Sequence, residues 1–233
     1  ENTITQNITI SADPELEFST GNTTPELCFN ENMTPIVYEI KGGTDDVSIS
    51  WLKDGISSSA PDGITVSETT TSIEISGAST LEVTATTTYA YEITASALGC
   101  TTTSVQLGTI TLLATPSIQL DPTTNDDQSL CEGLPLDDIK YNLTNATDYT
   151  LTWTATQPTG LDLNFDVASG ELTISGTAQS VDQSTVLGYE IIPLDTNTNC
   201  VGSPITGQIT VNADSELRLD SSNNNQNLCE GES

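Results

Sequence analysis

The sequence contains no histidine, only four lysine and arginine residues, and 5% aromatic residues. Without histidine, the chain lacks the usual general base and the usual activator of a catalytic serine or cysteine. Its 33 acidic residues give a formal net charge of −29 at pH 7. Nucleic acids and anionic membranes bind clustered lysine and arginine, so a surface of this charge repels both. A nucleic-acid partner is therefore excluded.

Long hydrophobic runs are also missing. No segment approaches the roughly 20 apolar residues that a membrane helix needs, so we expect no membrane insertion. Residues 1–4 show neither the basic nor the hydrophobic stretch of a signal peptide. We expect these residues to be a piece of a larger protein whose targeting signals lie elsewhere.

Alternating apolar and polar residues are abundant, and many of the apolar residues are β-branched. This period of two is typical of strands with one buried face, and disordered chains lack it. Serine, threonine, asparagine and aspartate fill the segments between, as expected of turns. No segment has a long apolar period of 3.6, so the sequence predicts an all-β protein.

An internal repeat organises the sequence. An alternating strand, an alanine hinge, a second short strand and a Leu-Cys step occur three times; the alanines and cysteines are Ala12, Ala114, Ala213, Cys28, Cys131 and Cys229. The repeat predicts complete domains at 12–113 and 114–212. Residues 1–11 would be the last strand of a preceding repeat, and 213–233 the start of a following one.

Each repeat of about a hundred residues contains roughly seven short alternating segments, separated by turns at the spacing of β-sandwiches. Tyr38, Tyr141, Trp51 and Trp153 fall on the apolar phase of their strands, which predicts core positions. A tryptophan on an early central strand is typical of immunoglobulin-like sandwiches. We therefore expect tandem immunoglobulin-like antiparallel β-sandwich domains in an elongated array.

Each complete repeat contains two cysteines. With no histidine and no Cys-x-x-Cys, a structural zinc site is not expected. In a secreted repeat protein, one pair per repeat predicts the disulfides Cys28–Cys100 and Cys131–Cys200. Each such bond would stabilise its repeat by roughly 4 kcal/mol. Cys229 is the odd cysteine, and its partner is expected beyond the sequence.

The Leu-Cys…Ile-x-Tyr-x-Leu opening of each repeat resembles the PKD-like and immunoglobulin-like repeats of giant flavobacterial surface proteins, the SprB-type gliding adhesins. Residues 158–163 and 169–177 also resemble immunoglobulin modules of bacterial cell-surface proteins. The first repeat departs from this pattern because it lacks the Ser-Gly step before its Ile-Ser-Gly turn. The resemblance implies type IX secretion to the cell surface and a role in adhesion or gliding motility.

Calcium is the metal that suits an acidic chain of tandem sandwiches, because calcium prefers oxygen ligands. The aligned linkers do not keep their carboxylates, since Glu15 corresponds to Ser117. A single site near Asp121, Asp126 and Asp127 is the remaining candidate, and solvated loop carboxylates are the alternative. No cofactor is otherwise expected.

Three functions fit these features. The first is a structural and adhesive repeat whose partners are neighbouring repeats and a surface polysaccharide or other adhesion ligand. The second is a carbohydrate-binding accessory module of a polysaccharide-degrading enzyme, which requires exposed aromatic rings such as Tyr149 and Phe165. The third is a ligand-free surface-layer or matrix component. Catalysis is not expected, because no adjacent carboxylate pair recurs between repeats.

Overall fold

The computed structural model describes residue 10 and residues 12–156 and 159–214. All named elements in this part are β-strands, which confirms the all-β prediction. Within the same residues, no helix is long and apolar enough to cross a membrane. The strand expected at 1–11 and the repeat start expected at 213–233 lie outside the described residues, except for residues 10, 213 and 214.

Nine strands form the first sandwich. They are β1 (Pro14–Thr20), β2 (Glu26–Leu27), β3 (Asn32–Gly42), β4 (Asp46–Lys53), β5 (Ile56–Ser58), β6 (Ile64–Glu68), β7 (Ser72–Ala78), β8 (Thr87–Ser96) and β9 (Ser104–Leu112). One sheet has the order β1-β3-β7-β6, and the other has the order β2-β9-β8-β4-β5. Neighbouring strands are antiparallel, except that β2 runs parallel to β9.

Nine further strands form the second sandwich. They are β10 (Ser117–Leu120), β11 (Asp127–Cys131), β12 (Ile139–Thr144), β13 (Asp148–Trp153), β14 (Leu161–Asp166), β15 (Glu171–Gly176), β16 (Thr185–Asp195), β17 (Cys200–Val201) and β18 (Ile205–Asn212). Its sheets have the orders β10-β12-β15-β14 and β11-β18-β16-β13, with β17 paired to β16. Strand β11 runs parallel to β18, as β2 does to β9.

The strand orders of both sandwiches follow the ABED and CFG arrangement of the immunoglobulin fold. The prediction of tandem immunoglobulin-like sandwiches is therefore confirmed. The two sandwiches differ in two short strands, because β5 adds an edge strand beside β4 in the first and β17 pairs with the end of β16 in the second.

Each sandwich has its own hydrophobic core between its two sheets. The alternation seen in the sequence places every second side chain of a strand in that core. In β8, for example, Tyr89, Tyr91, Ile93 and Ala95 are buried while the residues between them are more exposed. The two cores do not share residues, so each sandwich buries its own apolar surface.

A pair of buried tyrosines bridges the sheets of each sandwich. The Tyr38 and Tyr91 hydroxyl oxygens are 3.0 Å apart, and those of Tyr141 and Tyr189 are 2.9 Å apart. Buried hydroxyls need a hydrogen-bond partner, and in each pair one hydroxyl donates to the other. The pairs join the second and the penultimate long strands, where antibody domains have their B–F disulfide.

A glycine on the last long strand makes room for each tyrosine pair. Gly108 faces Tyr91 across the sheet, and Gly207 faces Tyr189. A Cβ atom at either glycine would overlap the tyrosine hydroxyl. Glycine is therefore required here by a close approach.

The predicted core tryptophans lie against these tyrosines. The ring centroids of Trp51 and Tyr91 are 5.4 Å apart, and those of Trp153 and Tyr189 are 5.2 Å apart. Trp51 is 6% exposed, whereas Trp153 is half-buried and packs at the edge of its core. Tilted and edge-on contacts of this kind add to the stabilisation from burial alone.

Candidate functional site at the junction between the repeats

The disulfide found among the described residues joins the two sandwiches. Cys28 bonds to Cys200 across 172 residues of sequence, with their Cα atoms 5.3 Å apart. Cys100 and Cys131 are not bonded. The predicted pairs Cys28–Cys100 and Cys131–Cys200, one within each repeat, are therefore wrong, and Cys229 lies outside the described residues.

Strand direction explains why the first predicted pair does not form. Strand β2 leads to Cys28 at the end of the sandwich where β9 also finishes and the chain leaves for the second sandwich. Cys100 lies in the turn before β9, at the opposite end, with its Sγ 3.9 Å from the Ala12 carbonyl oxygen. The nine residues of β9 span roughly 30 Å, whereas bonded cysteines need Cα atoms within about 7 Å.

The same logic brings Cys200 to Cys28. Cys200 lies in the connection from β16 to β18, at the entry end of the second sandwich. That end faces the exit end of the first sandwich, where Cys28 lies. Cys200 is 1% exposed and Cys28 is half-buried, so the bond is largely shielded from solvent.

The turn before Cys200 is organised around Asp195. Its carboxylate accepts hydrogen bonds from Thr147 Oγ1 at 3.1 Å, from the Asn197 amide at 3.1 Å and from Thr198 Oγ1 at 2.8 Å. Partial burial raises the pKa of Asp195, but these hydrogen bonds outweigh it and hold the pKa below its usual value. The Cys200 amide donates to Thr198 Oγ1 at 3.3 Å, so the network reaches the cysteine.

Hydrogen bonds reinforce the junction beside the disulfide. The Asn145 side-chain amide donates to the Thr84 carbonyl oxygen at 3.0 Å and to the Thr115 carbonyl oxygen at 3.3 Å. Asn145 adopts a φ of 55°, a left-handed conformation that asparagine tolerates better than most residues. The Thr115 amide donates to the Val83 carbonyl oxygen at 2.8 Å. One loop of the first sandwich is thus tied to the linker and to the second sandwich.

A shallow cleft of about 330 Å³ lies at this junction, between residues 82–84 and residues of the second sandwich. Among its described lining residues, Glu82 is the only ionisable one, and its carboxylate accepts a long hydrogen bond from Ser203 Oγ at 3.4 Å. A single carboxylate does not supply the convergent acid, base or nucleophile that catalysis needs. The geometry serves to hold two domains together.

The three aspartates proposed for calcium are not grouped into a metal site, and two of them accept hydrogen bonds from nearby side chains. Asp121 accepts hydrogen bonds from the amide and hydroxyl of Thr123 at 2.8 and 2.7 Å, which lower the pKa of its carboxyl. Asp127 Oδ1 accepts from Gln208 Nε2 at 3.0 Å, and Asp126 lies next to it before β11. No three acidic or cysteine side chains in the described ranges are grouped so as to hold a metal ion.

The aromatic residues do not form a sugar-binding row on the described surface. Tyr149 and Phe165 are half-buried and pack edge-on, with ring centroids 5.6 Å apart. Phe18, at 44%, is the one aromatic among the large exposed hydrophobic residues, and it packs against Tyr38. A carbohydrate platform would need several exposed rings in line.

The sequence reasoning missed two features of the structure, one in the cores and one at the junction. The Tyr-Glu-Ile segments before the second cysteine of each repeat, at 91–93 and 189–191, did signal a repeated tyrosine. Its hydrogen-bond partner on β3 or β12 became evident only from the sheet order. Asn145 could not be recognised from the repeat, because the equivalent position of the first repeat is Gly42, the last residue of β3.

No protein-family model matches the chain, and no curated protein sequence is similar to it. Among solved structures, an I-band fragment of titin aligns with a TM-score of 0.49 and 12% identity, covering 88% of this chain and 66% of that one. A titin variant with three immunoglobulin domains aligns with a TM-score of 0.48 and 13% identity, with the same coverage. An extracellular fragment of protocadherin gamma B7 aligns with a TM-score of 0.39 and 11% identity, covering 86% of this chain and 51% of that one. The chain thus spans less than two thirds of these structures.

Proposed function

We propose that these residues are structural repeats of a large, secreted bacterial surface adhesin of the SprB type, exported by type IX secretion and used in adhesion or gliding. The observation that carries the proposal is the covalent junction between two tandem sandwiches. Structural disulfides persist in oxidising, extracellular compartments. The repeats would occupy 12–113 and 114–212, flanked by a preceding repeat ending at 1–11 and a following one starting at 213–233.

The junction suits a stalk that transmits force. A single peptide linker would let two domains swivel freely, because it fixes only one point of contact between them. The bond from Cys28 to Cys200 adds a second covalent point. Hydrogen bonds from Asn145 add a third contact at the same interface. Together these contacts restrict both bending and twisting of one repeat on the next.

The strong negative charge also suits an extended array. A net charge of −29 on 233 residues makes neighbouring repeats and neighbouring molecules repel one another. Such repulsion favours solubility and opposes the collapse of a long chain on itself. The chain itself would have no catalytic role, and binding to a surface polysaccharide or another adhesion ligand would use loops or sheet edges of the array.

Small-angle scattering of the 233-residue chain tests the stalk. We expect an oxidised particle with two sandwiches end to end, and an unchanged curve after a chelator is added. Cys28→Ser should broaden the distribution of interatomic distances, whereas Cys131→Ser, which leaves the junction intact, should not. A compact particle with the sandwiches side by side, or identical curves for wild type and Cys28→Ser, would argue against the proposal.

Antibodies raised against the chain test its location. We expect them to label intact cells of the source bacterium without permeabilisation, and to reduce attachment or gliding when added to living cells. Labelling that requires permeabilised cells would contradict a surface adhesin. Surface labelling without any effect on attachment or gliding would instead favour the ligand-free matrix component.

A further inference from the structure

We propose that Cys100 and Cys131 each form the same inter-repeat disulfide with a neighbouring repeat, so that every junction of the array is cross-linked. Cys131 would bond to a cysteine in the β8–β9-type turn of the following repeat. Cys100 would bond to a cysteine after the β2-type strand of the preceding repeat. This inference rests on the proposed tandem array, and internal equivalence between the bonded and unbonded cysteines carries it.

Cys131 occupies the place in the second sandwich that Cys28 occupies in the first. Each directly follows a leucine on a short strand that runs parallel to the last strand of its sandwich. The paired residues are Leu27 with Leu112, and Leu130 with Val211. Both cysteines therefore lie at the end where the chain leaves the sandwich.

The backbone after these two cysteines is also the same. The residue two positions later has a positive φ, 60° at Asn30 and 77° at Gly133. Its amide donates to an equivalent carbonyl oxygen: Asn30 to Ser79 at 2.8 Å, and Gly133 to Ala178 at 2.9 Å. The turn that presents Cys28 to the next sandwich is thus already built at Cys131.

Cys100 corresponds in the same way to Cys200. Each lies in the connection before the last long strand, at the end where the chain enters its sandwich. Each directly follows a residue in the left-handed conformation, with a φ of 83° at Gly99 and 60° at Asn199. Cys28 therefore has Cys131 as its unbonded counterpart, and Cys200 has Cys100.

The unbonded cysteines are more exposed to solvent than Cys200, as the proposal requires. Cys200 is 1% exposed at the observed junction, whereas Cys100 is half-buried and Cys131 is exposed. Exposed leucines lie close to both unbonded cysteines, with Leu98 87% exposed and Leu134 53% exposed. A neighbouring repeat seated as the second sandwich sits on the first would cover these end surfaces.

Cys100 and Cys131 do not bond to each other, because they lie at opposite ends of the two-sandwich unit. Formation of either junction bond removes two protons and two electrons from two thiols. The acceptor is a disulfide oxidant, which is reduced to two thiols as the new bond forms by thiol–disulfide exchange. Oxidised glutathione supplies this oxidant in the experiment below.

The test is the full chain with residues 12–212 duplicated in tandem, so that a second Ala12 follows the first Asn212. Ala12-Asp13 matches the natural Ala213-Asp214, so the new junction keeps its local sequence. The chain is folded with oxidised and reduced glutathione, alkylated without reduction, and digested for disulfide mapping by mass spectrometry. Bonds from Cys28 to Cys200 within each copy report that both copies have folded.

We expect a further bond from Cys131 of the first copy to Cys100 of the second in most molecules. Cys131→Ser in the first copy should abolish this bond and leave the second Cys100 alkylated, while both Cys28–Cys200 bonds persist. Absence of any cross-linked peptide pair containing Cys131 and Cys100 from the unsubstituted protein, or bonding of either cysteine to another one, would overturn the proposal. The stalk proposal is tested separately by small-angle scattering. The disulfide map does not depend on the overall shape of the particle, so the two proposals can fail independently.

Discussion

The interior of each sandwich and the junction between the sandwiches are bridged by different chemistry. Inside, the sheets are joined by hydrogen-bonded tyrosines, Tyr38 with Tyr91 and Tyr141 with Tyr189. At the junction, the domains are joined by a disulfide. A core holds its sheets by burying apolar area on both sides, so a reversible bond is enough there. Two domains whose cores have no residue in common gain more from a covalent link.

The comparison predicts that a substitution in the core of one sandwich lowers the stability of that sandwich alone. Tyr91→Ala should lower the free energy of unfolding of the first sandwich by about 3–5 kcal/mol, the usual cost of deleting a large buried aromatic side chain. The second sandwich has a separate core and should keep most of its stability. Denaturant unfolding followed by hydrogen exchange in each sandwich would measure this, with Tyr189→Ala as the mirrored control. Equal losses in both sandwiches would show that the cores are coupled.

Loss of the disulfide at the junction should instead lower the stability of both sandwiches. Cys28→Ser removes the cross-link, which closes a loop of 172 residues, and should lower the unfolding free energy of both sandwiches by up to roughly 5 kcal/mol in the chain-entropy view of loop closure. Cys131→Ser changes an exposed, unbonded cysteine and should stay within about 0.5 kcal/mol of wild type. Denaturant unfolding followed by hydrogen exchange in each sandwich would measure the stability of both variants. Equal effects of the two substitutions would contradict the assignment of the bond.

The tyrosine pair itself can be divided by a double-mutant cycle. Tyr141→Phe leaves the hydroxyl of Tyr189 buried without its partner and should cost about 1–3 kcal/mol. Removing both hydroxyls with Tyr141→Phe and Tyr189→Phe leaves no orphan and should cost less than the sum of the single substitutions. Thermal or denaturant melts of the second sandwich supply the values. Strict additivity would mean that the two hydroxyls do not bond to each other.

Alkaline pH should weaken the interiors. Burial raises the pKa of Tyr141 to about 12 and raises the pKa values of Tyr38, Tyr91 and Tyr189 as well. Because these pKa values lie above the unfolded value of about 10, the contribution is complete below pH 10 and is lost as pH rises through the folded-state values. Melts between pH 8 and 12, with tyrosinate absorbance as a second signal, would follow the loss. The doubly Phe-substituted second sandwich should lose less stability over this range.

Much of the fold was readable from the sequence because strand alternation has a strict period. That period placed Tyr38 and Tyr141 on buried faces, and the structure has both at 0% exposure. The repeat likewise indicated sandwiches in tandem. These features depend on local pattern and on self-similarity, which a single sequence contains.

The disulfide pairing was not readable in the same way. Counting two cysteines per repeat suggests bonds within repeats, but it ignores which end of the sandwich each cysteine reaches. Cys28 follows a strand parallel to β9, and that parallel pairing is a tertiary feature with no local signature. The Tyr91 hydroxyl could not be assigned a partner for the same reason. Sequence spacing alone does not tell which ends of different strands meet.

Disulfide mapping of the oxidised 233-residue chain tests the central claim most directly. After alkylation without reduction and proteolysis, mass spectrometry should find a cross-linked peptide pair containing Cys28 and Cys200. Recovery of Cys28 bonded to Cys100, together with Cys131 bonded to Cys200, would place the disulfides inside the repeats and contradict a covalent junction between them.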